Sequence, residues 1–348
     1  MILKDSPKNG RAADMKYHMI LWGGAAALAF AFLLSLTMGR YAVPFSEAFQ
    51  IVFSNVFPVT KTWSDISESV VMDLRFPRTV TAALVGAALA LSGGTYQSIF
   101  KNPMCSPDLL GVSAGACVGA AIAILANGSS ALIQGCAFVG GITAVVLTVS
   151  IPKLLRNDST TILILTGVVV GGLMNSVMSM LKYVADTDTK LAEITYWTMG
   201  SFATVTIPEL LPVLPSILIP MGVILLMRYR LNVLSLGDNE ARSLGVNLQR
   251  TRGIFIFCST LISASCVCLA GTIGWVGLII PHTSRMLVGS DNQRMLPVSM
   301  LFGAAFMLVI DIFCRTVSAS ELRIGILTGL LGTPFFIFIL YEQNRRLR

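Results

Sequence analysis

Asp311, in "FMLVIDIFCR", is a carboxylate inside an apolar run, and Arg315 follows it by four residues. At helical spacing the two side chains share a face and can neutralise each other. The pair therefore reads as a structural ion pair or cap, and the alternative is a proton-relay carboxylate of an ion-coupled transporter. His282 and Arg285 interrupt a second run, "GTIGWVGLIIPHTSRMLVG" (271–289). A metal site needs several ligands together and none accompanies His282, which reads as a packing or hydrogen-bonding residue. The seven cysteines (Cys105, Cys117, Cys136, Cys258, Cys266, Cys268, Cys314) fall mostly within apolar runs without CxxC pairing and read as small packing residues. The chain carries no G-x-x-x-x-G-K-[ST] phosphate loop, no H-E-x-x-H and no G-x-S-x-G motif. No catalytic residue, metal site or chain-bound cofactor is expected, and a nucleotide that drives this protein binds elsewhere.

Composition sets the elements that must position these residues. Hydrophobic residues make up 54% of the 348 and charged residues 12%, and several apolar runs reach the roughly 20 residues that cross a bilayer. The expectation is an all-α polytopic membrane protein in one bundle, with no room for a soluble catalytic domain. The formal net charge of +7 lies mostly in tails and short loops, which is the positive-inside pattern and not a nucleic-acid patch.

Ten spans are predicted, at 19–38, 78–99, 108–126, 131–150, 160–181, 208–228, 253–270, 273–288, 296–315 and 324–341. The first has no A-x-A-like cleavage site after it and reads as an uncleaved span. The tails, 1–18 with Lys4, Lys8, Arg11 and Lys16 and 342–348 with Arg345, Arg346 and Arg348, are both basic and so assigned to the cytoplasm, which requires an even number of crossings. That parity makes the short 273–288 run a span and 19–341 a single transmembrane domain. Segments 39–76, 182–207 and 318–323 then lie outside. Pro208, Pro212, Pro215 and Pro220 should kink the sixth span.

Gly111, Gly115 and Gly119 recur every four residues, as do Gly167 and Gly171, and Gly325 and Gly329, which would place each set on one helix face for close packing. Two stretches, 89–116 and 267–304, share an apolar run, a glycine turn, a proline and a later Gly-Ala. An internal duplication and chance similarity both account for this. In the loop "LSLGDNEARSLGVNLQRTR", Asp238 and Glu240 favour a helix start and Ala241, Leu244 and Val246 offer an apolar side. A helix of about two turns there is too short to stand alone and should dock on something; an ordinary solvated loop is the alternative.

Four blocks, "LRFPRTVTAALVGAALALSGGTYQSIFKNPMCSPDLLGVSAGA", "LGDNEARSLGVN", "GTIGWVGLIIPHTSRMLVG" and "ELRIGILTGLLGTPFF", resemble, in order, the signature blocks of FecCD-type permeases, the membrane subunits of ABC importers for ferric siderophores, haem and vitamin B12. The resemblance implies ten spans with both termini inside, a second permease copy or paralogue, two ATPase subunits that hold ATP and Mg, and an extracytoplasmic substrate-binding protein. It makes Gly237, Asp238, Asn239, Glu240, Ala241, Arg242, Ser243, Leu244 and Gly245 a coupling helix (about 237–246) that sits in a groove of the ATPase. It makes Arg75, Arg78 and Arg315, which the topology puts at outer span ends, docking residues for the binding protein, with interfacial snorkelling as the alternative. Met174, Asn175 and Met178 become candidates for the translocation pathway. Asn102, Pro103, Pro107, Gly111, Gly115, Gly277, Pro281, His282, Arg285, Asp311, Glu321 and Gly325 become structural signature positions.

The chain departs from the family pattern at Met104 and Cys105, where Leu-Ala is usual, and at "ELRIG", which lacks the usual Pro after Glu and adds Arg323, a further docking candidate. The implied function is uptake of an iron complex, most simply a ferric siderophore. The same permease type carrying haem or cobalamin, and an ion-coupled secondary transporter using Asp311, are the alternatives.

Overall fold

The computed structural model describes residues 7–54, 57, 60–156, 159–318 and 320–347, with the backbone alone for 7–13, 339, 340, 342–344, 346 and 347. Lys4 and Arg348 lie outside the described residues. The chain is helical, without a strand among those residues. In order, α1 (Pro7–Thr37), α2 (Phe45–Ser54) and α3 (Asp65–Ser69) lead through a π-helical stretch (Val70–Arg75) into α4 (Phe76–Ile99). A 3-10 turn (Pro107–Leu110) precedes α5 (Val112–Leu125), α6 (Ser130–Leu154), α7 (Thr160–Val184) and α8 (Lys190–Thr198). Then come α9 (Ile207–Leu210), α10 (Leu214–Leu236), α11 (Asp238–Ser243), α12 (Leu248–Ala270), α13 (Val276–Val288), α14 (Asn292–Thr316) and α15 (Ile324–Leu347).

Among the described residues, seven segments are long and apolar enough to cross a membrane: those of α1, α4 with its upstream extension, α6, α7, α10, α12 and α14; α5, α13 and α15 contribute three shorter apolar helices. These ten coincide with the ten expected spans, but several boundaries move for identifiable reasons. Pro208 and Pro212 do not kink the sixth span. They confine a separate short helix, so α10 begins two residues beyond Pro212 and runs on through Arg228 and Arg230 to Leu236. Pro107 and a left-handed Gly111 (φ +78°) delay α5 to Val112, because only a residue without Cβ adopts that turn at little cost. Gly111 therefore lies outside the helix that Gly115 and Gly119 share. The basic tails are not separate from the spans, since α1 starts at Pro7 and α15 continues to Leu347.

Small residues set the helix spacing. A Cβ on Gly86 would lie 2.2 Å from the Gly303 carbonyl oxygen, and one on Gly93 would lie 1.8 Å from that of Gly277, so α4 touches α14 and α13 backbone to backbone. Gly115 meets Gly140 and Gly119 meets Cys136 between α5 and α6 in the same way, whereas a Cβ on Gly171 or Gly329 would meet nothing within 4 Å. Buried serines and threonines cross-link the interior. Ser35 pairs with Thr79 at 2.8 Å, Ser92 with Ser263 at 3.1 Å and Tyr96 with Thr260 at 3.1 Å, each satisfying polar groups where no water is at hand. The two echoing stretches differ at their glycines: Gly93 and Gly94 lie inside α4, whereas Gly271 (φ +68°) terminates α12.

Candidate functional site

Two groups of signature residues gather at opposite ends of the bundle. At the end holding Lys101, α11 forms at 238–243, within the stretch expected to be helical. Ala241 is fully buried and anchors it, while Asn239, Glu240, Arg242, Ser243 and Leu244 face out. Of the expected apolar side, Ala241 packs within the chain, whereas Leu244, which follows the helix directly, is 62% exposed. Exposed Leu236 and Met104 add apolar surface at this end. Asp238 receives two bonds from Arg252, at 2.6 and 3.2 Å, and lies 3.6 Å from Lys101. The guanidinium of Arg252 holds the Asp238 carboxyl below its ordinary range. Gly245, left-handed at φ +76°, turns the chain toward α12.

Nothing in the local sequence around Lys101 and Arg252 indicates that the α4–α5 loop and the start of α12 converge on Asp238. At the same end, Arg285 donates to Gln97 at 2.9 Å and Gln97 donates to the Leu278 carbonyl at 3.0 Å, which ties α13 to α4. His282 and Pro281 belong to this helix, one half-buried and the other buried. Asn102 caps its turn by accepting from the Met104 N–H at 2.9 Å, with Pro103 next to it, and Pro107 packs on Gly277. Among the described residues, no three of His, Cys, Asp and Glu come together as a metal site would require.

At the other end, Arg75, Arg78 and Arg315 are all buried in this chain. Arg75 donates to the carbonyls of Leu36 (2.9 Å), Thr37 (2.8 Å) and Tyr41. Arg78 joins Asp311 at 2.8 Å and Glu321 at 2.8 Å. Arg315 lies 3.1 Å from Asp311 and donates to Ser35 Oγ at 2.7 Å. The α1 terminus, α4, α14 and the loop before α15 are thus held by one charge network around Asp311, which is 0% exposed. Snorkelling does not describe these arginines, because their guanidinium groups point into protein. Arg323 is half-exposed, with its guanidinium 5.0 Å from the Tyr196 ring centroid, and Gly325 donates to the Met199 carbonyl at 2.9 Å.

The three pathway candidates on α7 separate by exposure. Asn175 is exposed and Met174 half-buried, while Met178 is buried with Cys117, Val118 and Ile194.

Comparison with known proteins gives the arrangement its family. Residues 27–342 match the model of the FecCD transport family. The molybdate import system permease protein MolB of Haemophilus influenzae is 38% identical over 94% of this chain and 97% of its own length. The hemin transport system permease protein HmuU of Yersinia pestis is 35% identical over 79% of this chain and 84% of its own. A solved inward-facing conformation of a metal-chelate type ABC transporter superposes with a TM-score of 0.84 at 38% identity, covering 93% of this chain and 99% of that one. The match runs through both ends of the bundle, the α11 loop and the Asp311 network alike, and this chain belongs to the FecCD transport family of ABC importer permeases.

Proposed function

We propose that this chain moves an iron complex inward across the membrane, with α11 coupling it to a separate ATPase and the Arg75 end receiving cargo from an extracytoplasmic binding protein. The family match over 27–342 carries the reading. The shape of α11 supports the coupling role: a short helix held by Ala241 and by the Asp238–Arg252 bonds presents Glu240, Arg242 and Leu244 outward. Both tails, the Lys101 end and the ATPase then lie in the cytoplasm. Two ATPase subunits carrying ATP and Mg, and a second permease forming a central pathway beside Asn175, complete the proposed importer. The iron assignment draws support from the probable iron chelatin permease of Helicobacter pylori, 36% identical, and from the metal-chelate type transporter structure.

A second cargo, an oxyanion such as molybdate, is favoured by the MolB relative, matched over 97% of its length. The ion-coupled alternative needs a carboxylate able to change partners, and Asp311 is enclosed by Arg78 and Arg315. Uptake measured in vesicles with labelled ferric siderophores, haem, cobalamin and molybdate decides the cargo. Uptake of an iron chelate that stops on ATP depletion is expected. Uptake that survives ATP depletion and collapses with an uncoupler overturns the ABC mechanism, and uptake of molybdate alone overturns the iron assignment.

A further inference from the structure

Helix α2 and the turn after it carry a ladder of aromatic rings that stays exposed among the described residues. Phe45, Phe49 and Phe53 recur every four residues and Phe57 follows, with successive ring centroids 6.5, 4.2 and 6.0 Å apart. Their exposures are 55, 43, 40 and 56%. The opposite face of the helix is packed: Ala48 and Ile51 are buried with Val43, Trp63 and Val71.

The depth of α2 follows from what it rests on. Val71 belongs to the π-helical stretch that ends at Arg75, and Arg75 is tied to the carbonyls of Leu36 and Thr37 at the last turn of α1. The ladder therefore lies near the last turn of α1, the end of an apolar span. Trp22 and Phe30 on α1, then Met38 and Tyr41, are likewise exposed along the chain leading to Phe45. The only charge on α2 is the half-buried Glu47, so a soluble partner steered by charge finds no handle on the ring face. The boundary between headgroups and acyl chains accepts an amphipathic helix lying in its plane, with the apolar face a few ångströms deep.

We propose that α2 is an interfacial helix whose phenylalanine ladder is embedded in the lipid boundary, fixing the depth of the α1 and α4 ends that the Arg75 bonds join. The assignment of this end to the outer leaflet rests on the orientation given above, whereas lipid contact does not depend on the side. The test replaces Phe49 or Phe53, one at a time, with the photoreactive p-benzoylphenylalanine in the full chain in native membranes, with Phe30 on α1 as the lipid-facing reference. Phospholipid adducts at both ladder positions, in yield comparable to Phe30, are expected. Adducts to a polypeptide at these positions, or no adduct while Phe30 reacts, would overturn the proposal. Phospholipid adducts obtained in a protein that fails to transport would leave the interfacial helix standing and count against the importer reading alone.

Discussion

Asp311 shows how a charge within an apolar run can serve structure. Its carboxylate faces Arg78 at 2.8 Å and Arg315 at 3.1 Å with no exposure to solvent, so its removal leaves two guanidinium groups in a dry site. Asp311→Ala is expected to cost about 3–5 kcal/mol, the usual penalty for stranding a buried charge, seen as a lowered thermal midpoint in detergent. An unchanged midpoint in this variant would remove Asp311 from that structural role. Asp238 is nearly half exposed, and its pairing with Arg252 is correspondingly modest. Because its pKa is depressed in the folded chain, the stabilisation is present above the ordinary Asp value of roughly 3.9 and lost as pH falls through the lower folded value. Anchoring of α11, followed by protease sensitivity of the 237–247 loop, should thus stay constant from about pH 7 to pH 5 and weaken only below about pH 4. Arg252→Ala should loosen the loop already at neutral pH.

Among the elements, α4 is the axis against which α12, α13 and α14 pack, and glycine makes that possible. A Cβ at Gly86 would lie 2.2 Å from the Gly303 oxygen and 2.6 Å from Met307 Cγ, and backbone cannot step aside as a side chain can. Gly86→Ala should destabilise by about 1–3 kcal/mol, read as a lower thermal midpoint, while Gly135→Ala on α6, where nothing lies within 4 Å, should not lower the midpoint, since alanine favours the helix over glycine. For α11, Glu240→Lys combined with Gly245→Pro is expected to abolish transport-coupled ATPase stimulation while the protein stays folded. Proline requires φ near −65°, which the φ of +76° at Gly245 does not allow. Normal stimulation in that variant would remove α11 from the coupling role.

At the scale of the whole molecule, burial of Arg75, Arg78 and Arg315 changes how a docking test must be built. Reversing any of them attacks the network that joins α1, α4 and α14, so Arg75→Glu should lower the thermal midpoint and weaken partner binding together. Arg323, half-exposed beside Tyr196, is the variant that separates the two effects. Arg323→Glu should keep the midpoint and reduce affinity for the binding protein most at low salt, where charge attraction is least screened. Unchanged affinity there would place docking elsewhere on this face.

Apolar run length and basic tails determined the ten segments, because the bilayer imposes a length and a charge rule that local sequence must obey. The four ordered blocks determined the family for the same reason that they are readable without coordinates: each is a local pattern. The pairing of Asp311 with Arg315 was equally legible, since four residues apart on a helix is a local relation. Only the tertiary structure decided that Arg78, 233 residues from Asp311 and 243 from Glu321 in the chain, brings both carboxylates into one network with Arg315, and that Lys101 and Arg252 converge on Asp238. Such contacts depend on how helices cross, which glycine-to-backbone packing sets and no periodicity announces. The same holds for α2, α8 and the break between α12 and α13, where short irregular segments obtain their shape from the helices they lie against.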